Sequence, residues 1–255
     1  TLNLMSNGSL YTNIQNKIAT VEFYHPASNS MPSELLSRLT NTFNELSGNN
    51  EVHVIIFKSE KDTTFCAGAS FDELIKISTL EEGKKFFSGF ANVINAMRFC
   101  SKLIIGRVQG KAVGGGVGLA AACDYCFATE QASIKLSEFT IGIGPFVIAP
   151  AVERKIGVGA LSELTIDATH WKTAYWAQQK GLFARVFETI KEMDAAVEDL
   201  ALKISKYNPE ALAEMKTAFW ENTKSWNELL NKRAEISGKL VLSEFTKNAL
   251  KKIKK

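Results

Sequence analysis

The stretch "GKAVGGGVGLAAACDYCFA", residues 110–128, crowds five glycines into its first nine positions and then turns apolar. It follows "KLIIGRVQG", whose apolar run predicts a strand, and its alanine-rich second half predicts a helix. A helix start carries unpaired N–H groups and a partial positive charge. Glycines remove the side chains that would keep another molecule away from those groups. The stretch therefore reads as strand–turn–helix with an anion site at the turn. The anion is either a stable phosphate or a charge that exists only during a reaction.

Outward from this stretch, strands and helices alternate. Residues 9–25 alternate in polarity and predict a hairpin with Gln15-Asn16 at its turn. Residues 32–46 carry Leu35, Leu36, Leu39, Phe43 and Leu46 at helical spacing, and "VHVIIFKS" predicts a buried strand. "FCAGASFDEL" is a strand end turning into a helix, and residues 81–99 predict a longer helix. After the glycine-rich stretch, "DYCFAT" and "ASIKLS" predict strands, residues 145–156, 159–167 and 173–180 predict helices, and "FARVFE" predicts a short strand. From Met193 the pattern is helical throughout. The expected organisation is one layered α/β core over residues 1–190 and a helical domain over residues 191–255. Leu200, Phe219, Trp220, Trp226 and Leu230 make that tail too apolar to stand alone, so it packs on the core or on another subunit.

Bulk properties narrow the classes. A chain of 255 residues with 45% apolar and 22% charged residues is ordinary for a globular protein. A net charge of +3 gives no reason to expect nucleic acid, and no apolar run reaches membrane length. The basic end "KNALKKIKK" reads as a solvated helix end, and residues 1–4 as an appendage ahead of Met5. No signal peptide is visible, and four cysteines do not make a disulfide framework, so a reducing cytoplasm is expected. Cys123 and Cys126 form a CxxC without the second pair a metal site would want, and their setting suits packing. No metal is expected.

Two familiar chemistries fail on spacing. Gly114-Gly115-Gly116-Val117-Gly118 imitates a dinucleotide fingerprint, but it reads GxGxG where GxGxxG is needed, and a hundred residues precede it. A hydrolase would want a GxSxG elbow, which is missing, and His25, His53 and His170 have no nucleophile close by in sequence. A second small-residue turn, "FCAGASF", also leads from strand to helix. Two such turns can aim two backbone N–H groups at one point, the geometry of an oxyanion hole suited to a thioester carbonyl.

At these residues the sequence resembles the crotonase superfamily of enoyl-CoA hydratases and isomerases. The resemblance runs over nearly the whole chain, through "PASNSM", "FCAGASF", "GKAVGGGVGLAAACDY", "LSEFTIGIGPFVIAPAVERKIG" and the helical tail. It implies a spiral of ββα units with a C-terminal helical trimerisation domain, assembled as a homotrimer or a dimer of trimers. It also implies an acyl-CoA thioester as substrate, with no separate cofactor. Ala69 and Gly115 match the oxyanion-hole donors, Gly114 belongs to the same turn, and Ala27, Ser28, Ala67 and Phe71 match the channel for CoA.

The family's hydratases commonly carry two catalytic glutamates. Here Gly118 stands at one position and Glu138 at the other, so one acid is missing. Pro145 is followed by Phe146 where the family has glycine, which alters the acyl pocket, and Ser70 replaces the usual aspartate. Phe139 and Phe146 are the expected apolar neighbours tuning Glu138. A single glutamate fits a Δ3,Δ2-enoyl-CoA isomerase, or a hydratase that holds its water otherwise. The run "GPFVIAPAVERKIG" resembles a bacterial subgroup assigned to 3-methylglutaconyl-CoA hydration, and on that ground hydration of a short or branched 2-enoyl-CoA is placed first. A non-catalytic family member binding acyl-CoA or RNA is the third reading.

Overall fold

The computed structural model describes residues 8–253; residues 1–4 and the last two lysines of the basic end lie outside the described residues. Two sheets organise the core. The larger has the strand order β1 (Ser9–Gln15), β2 (Ile18–Tyr24), β3 (Val54–Ser59), β5 (Leu103–Val108), β7 (Tyr125–Thr129), β10 (Arg185–Phe187). All its neighbours are parallel except the β1–β2 hairpin. The smaller has the order β4 (Thr64–Cys66), β6 (Lys111–Val113), β8 (Ser133–Lys135), β9 (Lys172–Thr173). The chain passes from β3 to β4, from β5 to β6 and from β7 to β8, leaving one strand in each sheet on every turn of a spiral. The expected α/β spiral of ββα units is what forms.

This winding positions the site. β4, β6 and β8 are parallel neighbours, so their carboxyl ends lie side by side. Each end enters a turn. After β4 comes the short helix α2 (Phe71–Leu74), after β6 the helix α4 (Gly115–Ala122), and after β8 a 3-10 turn, Glu138–Ile141. Helices α1 (Ser33–Ser47) and α3 (Leu80–Phe99) complete the covering layer. The predicted apolar stripe of α1 is its buried face, and Thr79 with Glu82 forms a capping box that starts α3. Helix α4 is buried on every side, which is why it is built of glycine, alanine, valine and leucine.

Some local expectations shift. The hairpin turns at Asn16-Lys17, one residue later than read, because both central residues sit at positive φ (53° and 64°) as a primed turn requires. Strand β6 is only three residues long and was hidden inside the glycine-rich stretch. The two helices read over residues 145–167 form with the break between them at Gly157, where φ is 76°, but the first starts four residues later than expected; together they make the span α5 (Ala149–Ile166).

The tail packs back on the core. Helix α6 (Ala174–Gln179) leads to β10, and helix α7 (Ile190–Ile204) then lays Met193, Val197, Ala201 and Ile204 on Ile18, Val54, Ile105 and Phe127 of the larger sheet. Helix α8 (Pro209–Phe219) follows, then α9 (Trp226–Leu240) and α10 (Glu244–Ile253). α9 crosses α3 so closely that a Cβ on Gly83 would lie 2.8 Å from the Cα of Gly238. A buried ion pair ties α8 to the core: Lys216 Nζ lies 2.5 Å from Asp124 Oδ2, with side chains 2% and 5% exposed. Asp124 also accepts from Trp220 Nε1 and from the Ile104 N–H. Removing one partner of such a pair leaves a desolvated charge, so Lys216→Ala is expected to cost about 3 kcal/mol or more in urea unfolding. A loss below about 1 kcal/mol would show that Asp124 is satisfied without the lysine.

Candidate active site

The turn after β4 is held by the "PASNSM" loop. Met31 N–H donates to the Gly68 carbonyl (2.8 Å), Ser70 N–H to the Met31 carbonyl (3.1 Å) and Ala67 N–H to the Ser28 carbonyl (3.2 Å). Met31 and Ala69 thus form a parallel bridge that uses the amide of Ser70 and leaves that of Ala69 on the opposite side. Gly68 takes φ 90° in this turn, and a Cβ there would lie 2.9 Å from the Val113 carbonyl of the neighbouring strand. The turn after β6 is pinned by Gly114 N–H donating to the Lys135 carbonyl (2.9 Å). Gly115 opens α4, so its N–H has no partner within the helix. The winding of the small sheet therefore brings the Ala69 and Gly115 amides to adjacent turns beside one cavity, both lining it.

Glu138 arrives from the third turn as the first residue of the 3-10 segment. Its carboxylate lies against Gly114: a Cβ at that glycine would sit 2.8 Å from Glu138 Oε1. Gly114 is needed for this approach and for its backbone, at φ 51° and ψ −116°. Although the residue as a whole is half-buried, Oε2 is sealed from solvent and has no hydrogen-bond partner. Burial pushes the carboxyl up to about 7, opposed by a bond from its own backbone N–H. A carboxyl in this range exchanges a proton readily in both directions near neutrality.

The cavity beside Glu138 measures about 290 Å³. Phe71, Leu74, Phe87 and Phe90 line it, together with Ile143, Pro145, Phe146 and Ile148. Ser237 of α9 and Ile253 of α10 close it, so the tail helices complete the site. Of the four residues expected along the CoA channel, Ala67 and Phe71 line this cavity. Ala27 and Ser28 are exposed on the adjoining loop, where the Ser28 carbonyl accepts from the Ala67 N–H beside the bridge described above. Phe139 is 49% exposed and forms no wall, so Phe146 alone of the expected pair lies beside the cavity. Ser70 caps α2, its hydroxyl accepting from the Glu73 N–H, which gives that departure a local reason.

Gly118 requires correction. It is not a wall of the cavity; a Cβ there would lie 2.5 Å from Ile148 Cγ2 and 2.6 Å from Ile148 Cβ. Ile148 occupies the space a side chain at position 118 would need. The sequence showed a missing acid but not the isoleucine that fills its place, because the two are brought together by the packing of α4 on α5. Phe87, Phe90 and Ile253 were likewise missed, since apolar residues in helices carry no mark of facing a cavity.

Elsewhere the three histidines have structural partners. His53 Nδ1 meets the Ser205 carbonyl at 2.9 Å, His25 Nδ1 meets the Ser30 hydroxyl at 3.0 Å, and His170 pairs with Asp167. Cys123 and Cys126 are buried free thiols packed against Gly106. Among the described residues no group of three metal-ligating side chains occurs, and no helix is long and apolar enough to cross a membrane.

Comparison with known proteins bears on the family of the chain. The family model described as enoyl-CoA hydratase/isomerase matches residues 13–252. A short-chain-enoyl-CoA hydratase from Clostridium acetobutylicum is 31% identical over 206 residues, covering 80% of this chain and 78% of that protein. A mitochondrial methylglutaconyl-CoA hydratase from Homo sapiens is 33% identical over 194 residues, covering 74% of this chain and 57% of that one. The crystal structure of an enoyl-CoA hydratase from Bacillus halodurans shares the fold, with a TM-score of 0.88 at 20% identity over 95% of this chain and 99% of that one. With the family model spanning almost every described residue, and both turns and the glutamate in place, the chain belongs to the enoyl-CoA hydratase/isomerase family.

Proposed function

We propose that this enzyme moves a proton along an enoyl-CoA through a thioester enolate, and that its product is a shifted double bond. The observation that carries this reading is that Glu138 is the sole ionisable side chain lining the cavity among the described residues. In a 3-enoyl thioester the carboxylate of Glu138 takes a proton from C2. The electrons of that C–H bond flow toward the thioester oxygen, which accepts hydrogen bonds from the Ala69 and Gly115 N–H groups. The carboxyl then returns the proton to C4 as the C2–C3 double bond forms. One group serves as base and then as acid, which an acid near neutrality does well. The positive end of α4 adds to the stabilisation of the oxyanion.

Hydration is the second reading, favoured by the names of the two relatives above. It asks more of the site. Water must be held and deprotonated opposite the group that protonates C2, and Ile148 fills the space next to Gly118 where a second acid would stand. The test is a panel of 2-enoyl-CoA and 3-enoyl-CoA thioesters, followed for hydration and for double-bond migration in parallel. Migration faster than hydration is expected; the reverse order would overturn the isomerase reading and leave the hydratase.

A main-chain oxyanion hole makes a further prediction common to both readings. Ala69→Ser keeps the N–H and is expected to be mild. Ala69→Pro removes it, and because Met31 bonds the amide of Ser70 instead, the bridge between the two loops survives. A loss of about 10²–10³ in kcat is expected for one such donor. A folded Ala69→Pro protein with near-normal turnover would show that the oxyanion is held elsewhere.

A further inference from the structure

We infer that the acyl half of the substrate is an uncharged chain, and that the cavity rejects acyl groups ending in a carboxylate. This deepens the acyl-CoA reading above and rests on it. The walls are mostly apolar: Phe71, Phe87, Phe90 and Phe146 supply rings, and Ile148 and Ile253 supply aliphatic surface. Apart from Glu138, the polar side chains at the walls are hydroxyls, and no lysine, arginine or histidine lines the cavity among the described residues. The neighbouring cation, Arg233, faces a separate groove and is engaged from behind, its Nη1 donating to the Phe146 carbonyl at 3.3 Å.

A second carboxylate entering this space meets two penalties. It loses water with no cation among the described walls to replace it. The hydroxyls of Ser137, Thr140 and Ser237 are neutral donors and replace only part of that hydration. It also adds a like charge near Glu138, which itself already ionises reluctantly for want of solvent. A hydrocarbon or phenyl end meets none of these and gains from covering the rings. The distal carboxylate of a methylglutaconyl group therefore finds no cationic partner among the described walls, whereas a butenoyl, hexenoyl or aryl-substituted enoyl group needs none.

The test uses saturated thioesters, which cannot react, so that binding is read independently of hydration or migration. Hexanoyl-CoA and its ω-carboxylated counterpart adipoyl-CoA have the same length and differ by the terminal charge. Calorimetry of the full chain at pH 7.5 is expected to show hexanoyl-CoA bound about a hundredfold more tightly, the scale of leaving one carboxylate unpaired in an apolar site. A ratio below about tenfold, or one favouring adipoyl-CoA, overturns the proposal. Ile253→Lys supplies a second arm, because residue 253 is a wall that is also 58% exposed and can take a cation at the rim. The variant is expected to shrink the ratio at least threefold by improving adipoyl-CoA, and an unchanged ratio places the acyl end outside this cavity and overturns the proposal. Failure of the underlying reading looks different: neither thioester, nor CoA itself, would bind.

Discussion

The Glu138→Gln protein is expected to lose at least about 10⁴ in kcat, at or beyond the top of the range for general acid–base catalysis, while binding acyl-CoA nearly as well as the parent. Both candidate reactions need a carboxyl at C2, and no other ionisable side chain lines the cavity among the described residues. The amides of Ala69 and Gly115 are main-chain groups that the substitution leaves in place. Retention of more than about a tenth of the parent rate would show that another group moves the proton. Two pH experiments accompany this variant. The base is the ionised form and its pKa is raised to about 7, so kcat/KM of the parent should rise through that pH and level off above it. A profile flat from pH 5.5 to 8.5 would remove Glu138 from the chemistry. Stability runs the other way. Because the folded-state pKa lies above the ordinary 4.5, the folded protein holds this proton more tightly than the unfolded chain. That contribution is fully present below pH 4.5 and is lost as pH rises through about 7. Glutamine carries no such dependence. Glu138→Gln should therefore melt at a higher temperature than the parent at pH 8, with the difference fading toward pH 5, which an inactive but misfolded variant would not do.

What could be read from the sequence divides along a physical line. Backbone-determined features were legible. Gly114 and Gly115 are glycines because a Cβ at either would strike Glu138 or the Phe90 ring, and that need shows directly as residue type. The spacing from strand to small-residue turn to helix likewise records the winding that sets three turns side by side. Features made by one side chain filling another's space were not legible. Gly118 looks the same in sequence whether the space beside it holds water, substrate or Ile148, and only the packing of α4 on α5 decides. The cavity walls from α3 and α10 (Phe87, Phe90 and Ile253) are apolar residues in amphipathic helices, indistinguishable in pattern from ordinary core, and Ser237 of α9 carries no mark of facing a cavity either. Strand β6, with three residues, was too short for alternation to appear.

Restoring the absent acid by Gly118→Glu alone should therefore fail, and fail through folding. The added Cβ would lie 2.5 Å from Ile148 Cγ2 and 2.6 Å from Ile148 Cβ, and both residues are fully or almost fully buried. Neither side can yield easily, since α4 is enclosed on every face and Ile148 leads directly into α5. Overpacking of this kind costs about 1–3 kcal/mol or more, and the new carboxyl starts from a fully buried helix. The expected outcome is a protein that is largely insoluble or melts far below the parent. Gly118→Glu combined with Ile148→Ala is expected to recover much of that loss, because the branched side chain that blocks the position is gone. If a second acid is what hydration lacks in this cavity, the double variant should gain hydration relative to double-bond migration on the same panel of thioesters. Ile148→Ala alone is the control: it opens the space without supplying the acid, and should destabilise by about 2–5 kcal/mol with no gain in hydration. A stable, soluble Gly118→Glu protein would mean that α4 and α5 can separate here, and the case for a single-acid site would then lose its steric basis.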